Sequence, residues 1–357
     1  MLISIISIIF LFSIIIFIHE FGHFWVAKKV GVRVEKFSIG FGPKLFSFKK
    51  GETTYQICLL PFGGFVKLAG EENTKKDKFE EWEYMGKSPL DRSKIIVSGS
   101  LHNLLFGFFI LIFVYMLGID GYDGTKIGSL LKGFPAEKSG LKVDDEVIRV
   151  NGERVREWYQ VILNIRKSVS KDREKEIELE VKRNGKILKF KIKPAPYKEE
   201  GMEKPVYIIG IGPKIIIEKY SFPHAFLRAS REFYKLIYSV FLSIKLLITK
   251  QVSPKFIAGP VGIAKWTAEI AHRGFTKFLY YLSFISINIG IINLFPFPVF
   301  DGGHLLGLMG EGILRRRPSR KMLEICQYIG IILLISLALY ITYNDILRIL
   351  GERIKGK

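Results

Sequence analysis

The 357-residue chain has only two cysteines, Cys58 and Cys326. They lie far apart and fit neither a disulfide framework nor a zinc knuckle, so both are expected as free thiols. Acidic residues are scarce: 34 against 54 basic ones, for a net charge of +20. Nucleic acid is the usual reading of such a balance, but the basic residues are dispersed and form no stripe interleaved with aromatics. No nucleic-acid partner is expected. Basic loops beside membrane spans, in contact with anionic lipid, account for the charge better. Charge is missing altogether from Leu2 to Ile18. A signal peptide is not expected there, because only Met1 precedes the run and no small-residue cleavage site ends it. The run reads as a retained first span.

What is present fits that reading. Apolar residues make up 48% of the chain, and the mean hydropathy is positive. A membrane protein with a polar insert is expected. Lys28, Lys29, Arg33, Lys36, Lys44, Lys49 and Lys50 follow the first span. The positive-inside rule then puts the N-terminus outside and the following segment in the cytoplasm.

The first span ends in His19-Glu20-Phe21-Gly22-His23. On a helix, residues four apart share a face, so His19 and His23 can hold one metal ion. Zinc suits two imidazoles plus a carboxylate and lowers the pKa of its water to roughly 7. Glu20 is then the natural general base. An ionisable group within a span costs at least ~2.5 kcal/mol and marks function by default. Three of them at metal spacing make a filler role a poor reading.

The expected organisation is a first span over 1–27, a cytoplasmic β-hairpin region and loop over 28–94, and a second span over 95–119. Within 31–68, glycines separate short apolar runs such as Thr54–Leu60, which reads as short strands and turns. This piece is either a small lid or an edge strand that holds an extended substrate. Residues 70–92 are polar and expected to be loosely ordered. Asn103 lies inside the second span and can bond a neighbouring helix; His102 reads as a helix-face residue.

Residues 122–196 are soluble in character. Val150-Asn151-Gly152 turns after an apolar strand, and Asn184-Gly185 separates two alternating runs, a strong hairpin signal. Trp158, Val161, Ile162 and Ile165 keep a helical period between them. Lys126–Val155 resembles the core of a bacterial PDZ domain, with Asp144 where glycine is usual. That resemblance implies binding of extended chain ends at a strand edge; a steric or spacer role is the alternative. Residues 197–275 read as a linker and an amphipathic helix too charged to span, with a tight bend at 258–262.

A third span over 276–304 is broken by Asn293, Pro296, Pro298 and Asp301. Irregular backbone at membrane depth is tolerated only where protein buries it or water lines it. Asp301 is the expected third metal ligand, with His304 as the competing candidate. A basic cytoplasmic loop over 305–324 and a fourth span over 325–350 complete the chain. For Asp301 to reach the histidines, the third span must run parallel to the first, so only one span intervenes and 228–249 does not cross. The insert then lies outside the cytoplasm.

Taken in order, His19–His23, the Pro61–Lys67 turn, the PDZ-like insert and the Asn293–Gly303 pattern N-x-x-P-x-P-x-x-D-G-G resemble the site-2 protease family of intramembrane zinc metalloproteases. The regulator of sigma-E protease type with one PDZ domain is most similar. The resemblance implies Zn2+ held by His19, His23 and Asp301, with Glu20 as base. It implies that Asn293 helps position substrate or the oxyanion, and Pro296, Pro298, Gly63 and Gly64 are added as substrate-binding candidates. Expected partners are single-span membrane proteins of the anti-sigma factor type or remnant signal peptides, membrane lipid, and chain ends at the PDZ-like domain. The expected location is the inner (cytoplasmic) membrane, with the site near its cytoplasmic side. Family members usually carry proline after the glycine of the second span, where this chain has Gly99-Ser100. The rival readings are a non-enzymatic scaffold with a structural metal and a metal-ion transporter. Structural zinc normally has four protein ligands, and a transporter needs further intramembrane acids or histidines along a path.

Overall fold

The fold comes from a computed structural model, which describes residues 2–71, 78–171, 175–198, 205–253, 257–315 and 319–355. Parts of two sequence expectations, the loop at 72–77 and residues 316–318 of the basic loop over 305–324, lie outside the described residues. The chain divides into two compact units: Met1–Leu117 with Tyr220–Arg348, and Gly118–Lys219 with Ile349–Lys357.

The first unit is helical. Helix α1 (Leu2–Val30) leads into strands β1 (Val34–Lys50) and β2 (Thr53–Leu68), then α2 (Pro89–Leu117). After the second unit come α5 (Phe222–Ile248), α6 (Pro260–His272), α7 (Phe275–Asn293), α8 (Asp301–Leu314) and α9 (Arg320–Lys355). Among the described residues, four helices are long and apolar enough to cross a membrane: Leu2–Val30, Pro89–Leu117, Phe275–Asn293 and Glu324–Gly351. The chain is a multi-pass membrane protein. Helix α5 is not among the four; its small residues Ala225 and Ala229 are fully buried, and Phe226 and Phe233 set their rings edge-on to Phe108 of α2.

Helix α2 is central to this unit. Ser283 and Ser286 of α7 donate to the carbonyls of Gly107 and Asn103 at 2.7 and 2.8 Å. Toward α1, His23 bonds the Ile95 carbonyl and Gly22 lies against Ser98. In both pairings the residue numbers run in opposite directions. Helices α1 and α7 are therefore each antiparallel to α2 and parallel to one another, the relation needed if Asp301 is to reach the histidines.

Strands β1 and β2 are long but bent. Residues 36–39 lie beside 64–67 antiparallel on one side. On the other side they lie beside 54–57 with the numbers rising together, and 44–50 folds back on 53–58. The result is four short segments side by side, with 64–68 at one edge. The region after it is ordered where described, contrary to expectation: Glu83, Tyr84 and Arg92 are buried, and Arg92 pairs with Glu311 at 2.5 Å. A charged stretch reads as solvated in sequence, yet these charges are buried with partners.

Two further expectations are corrected. Residues 258–262 are a helix start rather than a bend: Gly259 and Pro260 open α6, and the buried Asp345 carboxylate accepts from the amides of Gly259 and Gly262 at 2.9 and 2.7 Å. The basic loop expected from 305 is instead the helix α8 as far as Leu314, a run rich enough in leucine to propagate a helix despite its glycines.

The second unit holds β3 (Ile119–Leu130), α3 (Pro135–Lys138), β4 (Glu146–Val150), β5 (Glu153–Arg154), α4 (Trp158–Lys171), β6 (Ile177–Arg183) and β7 (Lys186–Ile192). It continues through β8 (Ala195–Tyr197), β9 (Val206–Ile208) and β10 (Ile211–Glu218). The sheet order is β10-β3-β4-β6-β7. The unit thus runs past 196, into the stretch read as linker. Gly210, Gly212 and Pro213 hide the alternation there, and the register shifts at Gly212/Pro213. The core gathers Ile127, Val147, Val150, Val161, Ile177, Leu179 and Val181, all fully buried. Asn184 and Gly185 both take positive φ, as a two-residue hairpin turn requires. Asp144 adopts φ +69°, so an aspartate here takes the left-handed geometry usually left to glycine.

Asp145 is almost fully buried beneath this turn. Arg183 donates to its two oxygens at 2.6 and 2.7 Å, and the Lys142 amide donates at 2.8 Å. Burial pushes the carboxyl up, but these donors outweigh it and hold Asp145 below its usual range. A depressed carboxylate stabilises the fold fully above its unfolded pKa of about 4 and loses that contribution as pH falls further. Asp145→Asn is expected to destabilise this unit by about 1–2 kcal/mol at pH 7, because the buried amide cannot replace the charge-assisted bonds from Arg183. The loss should shrink at pH 3, below the unfolded pKa of about 4, where the folded carboxylate's contribution is being lost. Hydrogen exchange at β4 and β6 in the intact protein at both pH values checks this.

Candidate metal centre

Continuous apolar sequence carries α1 past His19 and His23, one helical turn apart, so both rings leave the same face. The third group arrives on a different element. Helix α7 ends at Asn293, and Pro296 and Pro298 keep the chain out of helix until Asp301 begins α8. Gly302 and Gly303 let this turn fold tightly: a Cβ at Gly302 would lie 2.2 Å from the Leu294 carbonyl oxygen, and one at Gly303 would lie 2.2 Å from that of Phe297.

These elements bring His19, His23 and Asp301 together, with one ligand atom from each lying within 4.8 Å of the others. The two Nε2 atoms are 3.2 Å apart. The Asp301 oxygens lie 3.5 Å from His19 Nε2 and 3.7 Å from His23 Nε2. All three side chains are largely buried, at 14–16% exposure. Two imidazole nitrogens and a carboxylate converging on one point are a donor set suited to zinc. His23 Nδ1 lies 2.8 Å from the Ile95 carbonyl, which can only accept, so Nδ1 carries the proton and the Nε2 lone pair faces the cluster.

Space for an ion is left by a residue to which sequence reasoning gave no role. A Cβ at Gly99 would come within 2.3 Å of His23 Nε2 and 2.9 Å of His19 Cε1. The available signal was a glycine in mid-span, which in a membrane helix reads equally well as helix packing.

Glu20 lies next to His19 on α1 and is approached from the side by β2, whose Val66 amide faces its carboxyl. Gly64 permits that approach, since its Cβ would lie 3.1 Å from Glu20 Cγ and 2.8 Å from the Ser38 carbonyl oxygen. Gly63 takes φ +106° against the Phe41 ring. Asn293 is half-buried at the end of α7; Pro296 is exposed, and Pro298 packs on Gly330 of α9. None of these five is in the cluster. Nor is His304, which is exposed one turn along α8, or His102, which bonds the Ser98 carbonyl and faces Phe21 and Trp25.

The chain resembles known proteins over almost its whole length. The model for peptidase family M50 matches residues 7–337. A protein of Campylobacter jejuni, provisionally named a zinc metalloprotease, is 34% identical over 349 residues, 95% of this chain and 92% of its own. The regulator of sigma-W protease RasP of Bacillus subtilis is 29% identical, over 97% of this chain and 99% of its own. The regulator of sigma-E protease RseP of Escherichia coli is 28% identical, over 96% and 98%. The match takes in both histidines, the acid and all the elements between them. The chain belongs to peptidase family M50, the site-2 protease family.

Proposed function

We propose that this protein is a zinc metalloprotease that cuts single-span membrane proteins of the anti-sigma factor type, or remnant signal peptides, inside their transmembrane segments. The observation that carries the proposal is the convergence of His19, His23 and Asp301 within a bundle of membrane helices, with Glu20 alongside. The relatives named for control of sigma-E and sigma-W support the substrate class.

His19, His23 and Asp301 hold the metal in this reading. Zinc bound there would supply the Lewis acidity that polarises a carbonyl and activates water at neutral pH. Glu20 takes the proton of the attacking water and returns it to the leaving amine. Strand segment 64–68 receives the unwound substrate as an added strand, since it is an edge and its Val66 amide already faces Glu20. Asn293, Pro296 and Pro298 line the approach from the broken helix. The outer part of the hairpin, with Phe41, Leu45, Phe46 and Ile57 exposed at 46–65%, sits in lipid.

The second unit serves as the PDZ-like domain. Its terminal strand β10 exposes Ile215 and Ile217 at 61% and 70% and offers an edge for a chain end. The positive-inside pattern supports an inner-membrane location with this unit outside the cytoplasm and the metal centre toward the cytoplasmic side. The scaffold reading is disfavoured because the cluster has three protein groups among the described residues, which leaves the open position of a catalytic site.

In liposomes with a model single-span substrate, Glu20→Gln is expected to lower cleavage at least about 100-fold while zinc content stays at one per chain. Equal cleavage by parent and variant would remove Glu20 as the base. A chelator should abolish cleavage and added zinc should restore it. Gly64→Val, which must push the strand off Glu20, is expected to slow single-turnover cleavage by at least about tenfold with zinc retained. An unchanged rate would exclude this strand from substrate binding.

A further inference from the structure

Each metal ligand needs an outer partner that fixes which atom it presents. Helix α2 offers one to all three. The Ile95 carbonyl holds His23 through Nδ1. Ser100, fully buried, donates from Oγ to Asp301 Oδ2 at 3.0 Å. Asn103, also fully buried, places its amide 3.5 Å from His19 Nδ1, and the Gly99 carbonyl is a second partner of the same ring. Residues 95, 99 and 103 are four apart and share one face of the helix, with Ser100 beside them. Gly99 sits in the middle and leaves the ligands their room.

The Asn103 contact has only one orientation that suits a metal. If the amide nitrogen faced His19, Nδ1 would have to accept, the ring proton would sit on Nε2, and the lone pair would be lost from the cluster. The Asn103 Oδ1 atom is buried and has no hydrogen-bond partner among the described residues. The two ends of an amide exchange by a half-turn. Turned so that Oδ1 meets His19, the amide accepts from Nδ1–H. That turn gives the oxygen a donor, moves Nδ2 to the oxygen's former place, and points the Nε2 lone pair inward.

We infer that Ser100 and Asn103 are positioning residues: Ser100 orients the Asp301 carboxylate and Asn103 fixes the His19 tautomer, so that both set metal affinity without touching metal or substrate. The inference rests on the His19–His23–Asp301 reading above. The alternative is that both are only interhelical ties in an apolar bundle.

The test uses the full chain in detergent, measuring zinc affinity by chelator competition and the visible spectrum of the cobalt-loaded protein. Ser100→Ala and Asn103→Leu should each weaken zinc binding by about 10–100-fold and alter the cobalt bands. Ser100→Thr and Asn103→Asp, which keep the hydroxyl donor and the oxygen acceptor, should stay within about threefold of the parent. Affinities within twofold of the parent in Ser100→Ala and Asn103→Leu would overturn the inference and leave only the structural tie. A tenfold loss in Asn103→Asp would overturn the Asn103 assignment, and this variant decides alone should Asn103→Leu fail to fold. His23→Ala separates the premise from the inference. If it binds zinc like the parent, the ligand triad itself is wrong; if it does not, the triad stands and the four α2 variants judge the inference.

Discussion

A polar side chain inside a membrane bundle has no water to fall back on, so it must be satisfied by another protein group or by an ion. This constraint governs the first unit. His19, His23 and Asp301 come from two helices separated by more than 270 residues of chain, and each is useful only where the others are. The arrangement requires α1 and α7 to run parallel, with α2 between them. It also requires α7 to break before Asp301, so that α8 can start with its carboxyl turned inward. The prolines and paired glycines between 296 and 303 make that break possible in a small volume.

Helix α2 is the template for this convergence. It binds α7 through serine hydroxyls and α1 through the Ile95 carbonyl, and it meets both at glycines, Gly22, Gly99 and Gly290 among them. Small residues let backbones approach, and packing is what holds helices together where the solvent is itself apolar. The same approach that packs the bundle puts Ser100 and Asn103 within reach of the ligands.

The hairpin brings a different kind of surface to the site. A helix has no spare backbone bonds to offer an extended peptide, whereas the edge segment 64–68 does. Its position against Glu20 depends on Gly64 and on the bends that fold two long strands into four short segments. In the proposed function such an edge gives an unwound substrate the backbone partners it loses on leaving its helix.

Much of this was legible in the sequence because it is written in local or periodic signals. The uncharged run before His19, the four-residue spacing of the histidines, the Asn184-Gly185 turn and the broken third span each arise from neighbouring residues. Even the parallel relation of the first and third spans follows once Asp301 is required to reach the histidines. Other features depend on residues far apart in the chain and could not be read. The charged stretch around Tyr84 and Arg92 reads as solvent-exposed until Glu311 supplies a partner. Strand β10 reads as linker because its glycines and proline break the alternation, and only pairing with β3 makes it a strand. The helix start at Gly259 is capped by Asp345, 86 residues away. Gly99-Ser100 stands out only as a departure from a pattern and Asn103 only as a polar residue in a span; their contacts with the histidines and Asp301 exist only once the helices pack. The sequence by itself determined the class of protein and which side chains are able to hold a metal, since chemistry and spacing are local. Only the tertiary structure decided what surrounds them, because hydrogen bonds and close approaches between distant elements exist only once the helices meet.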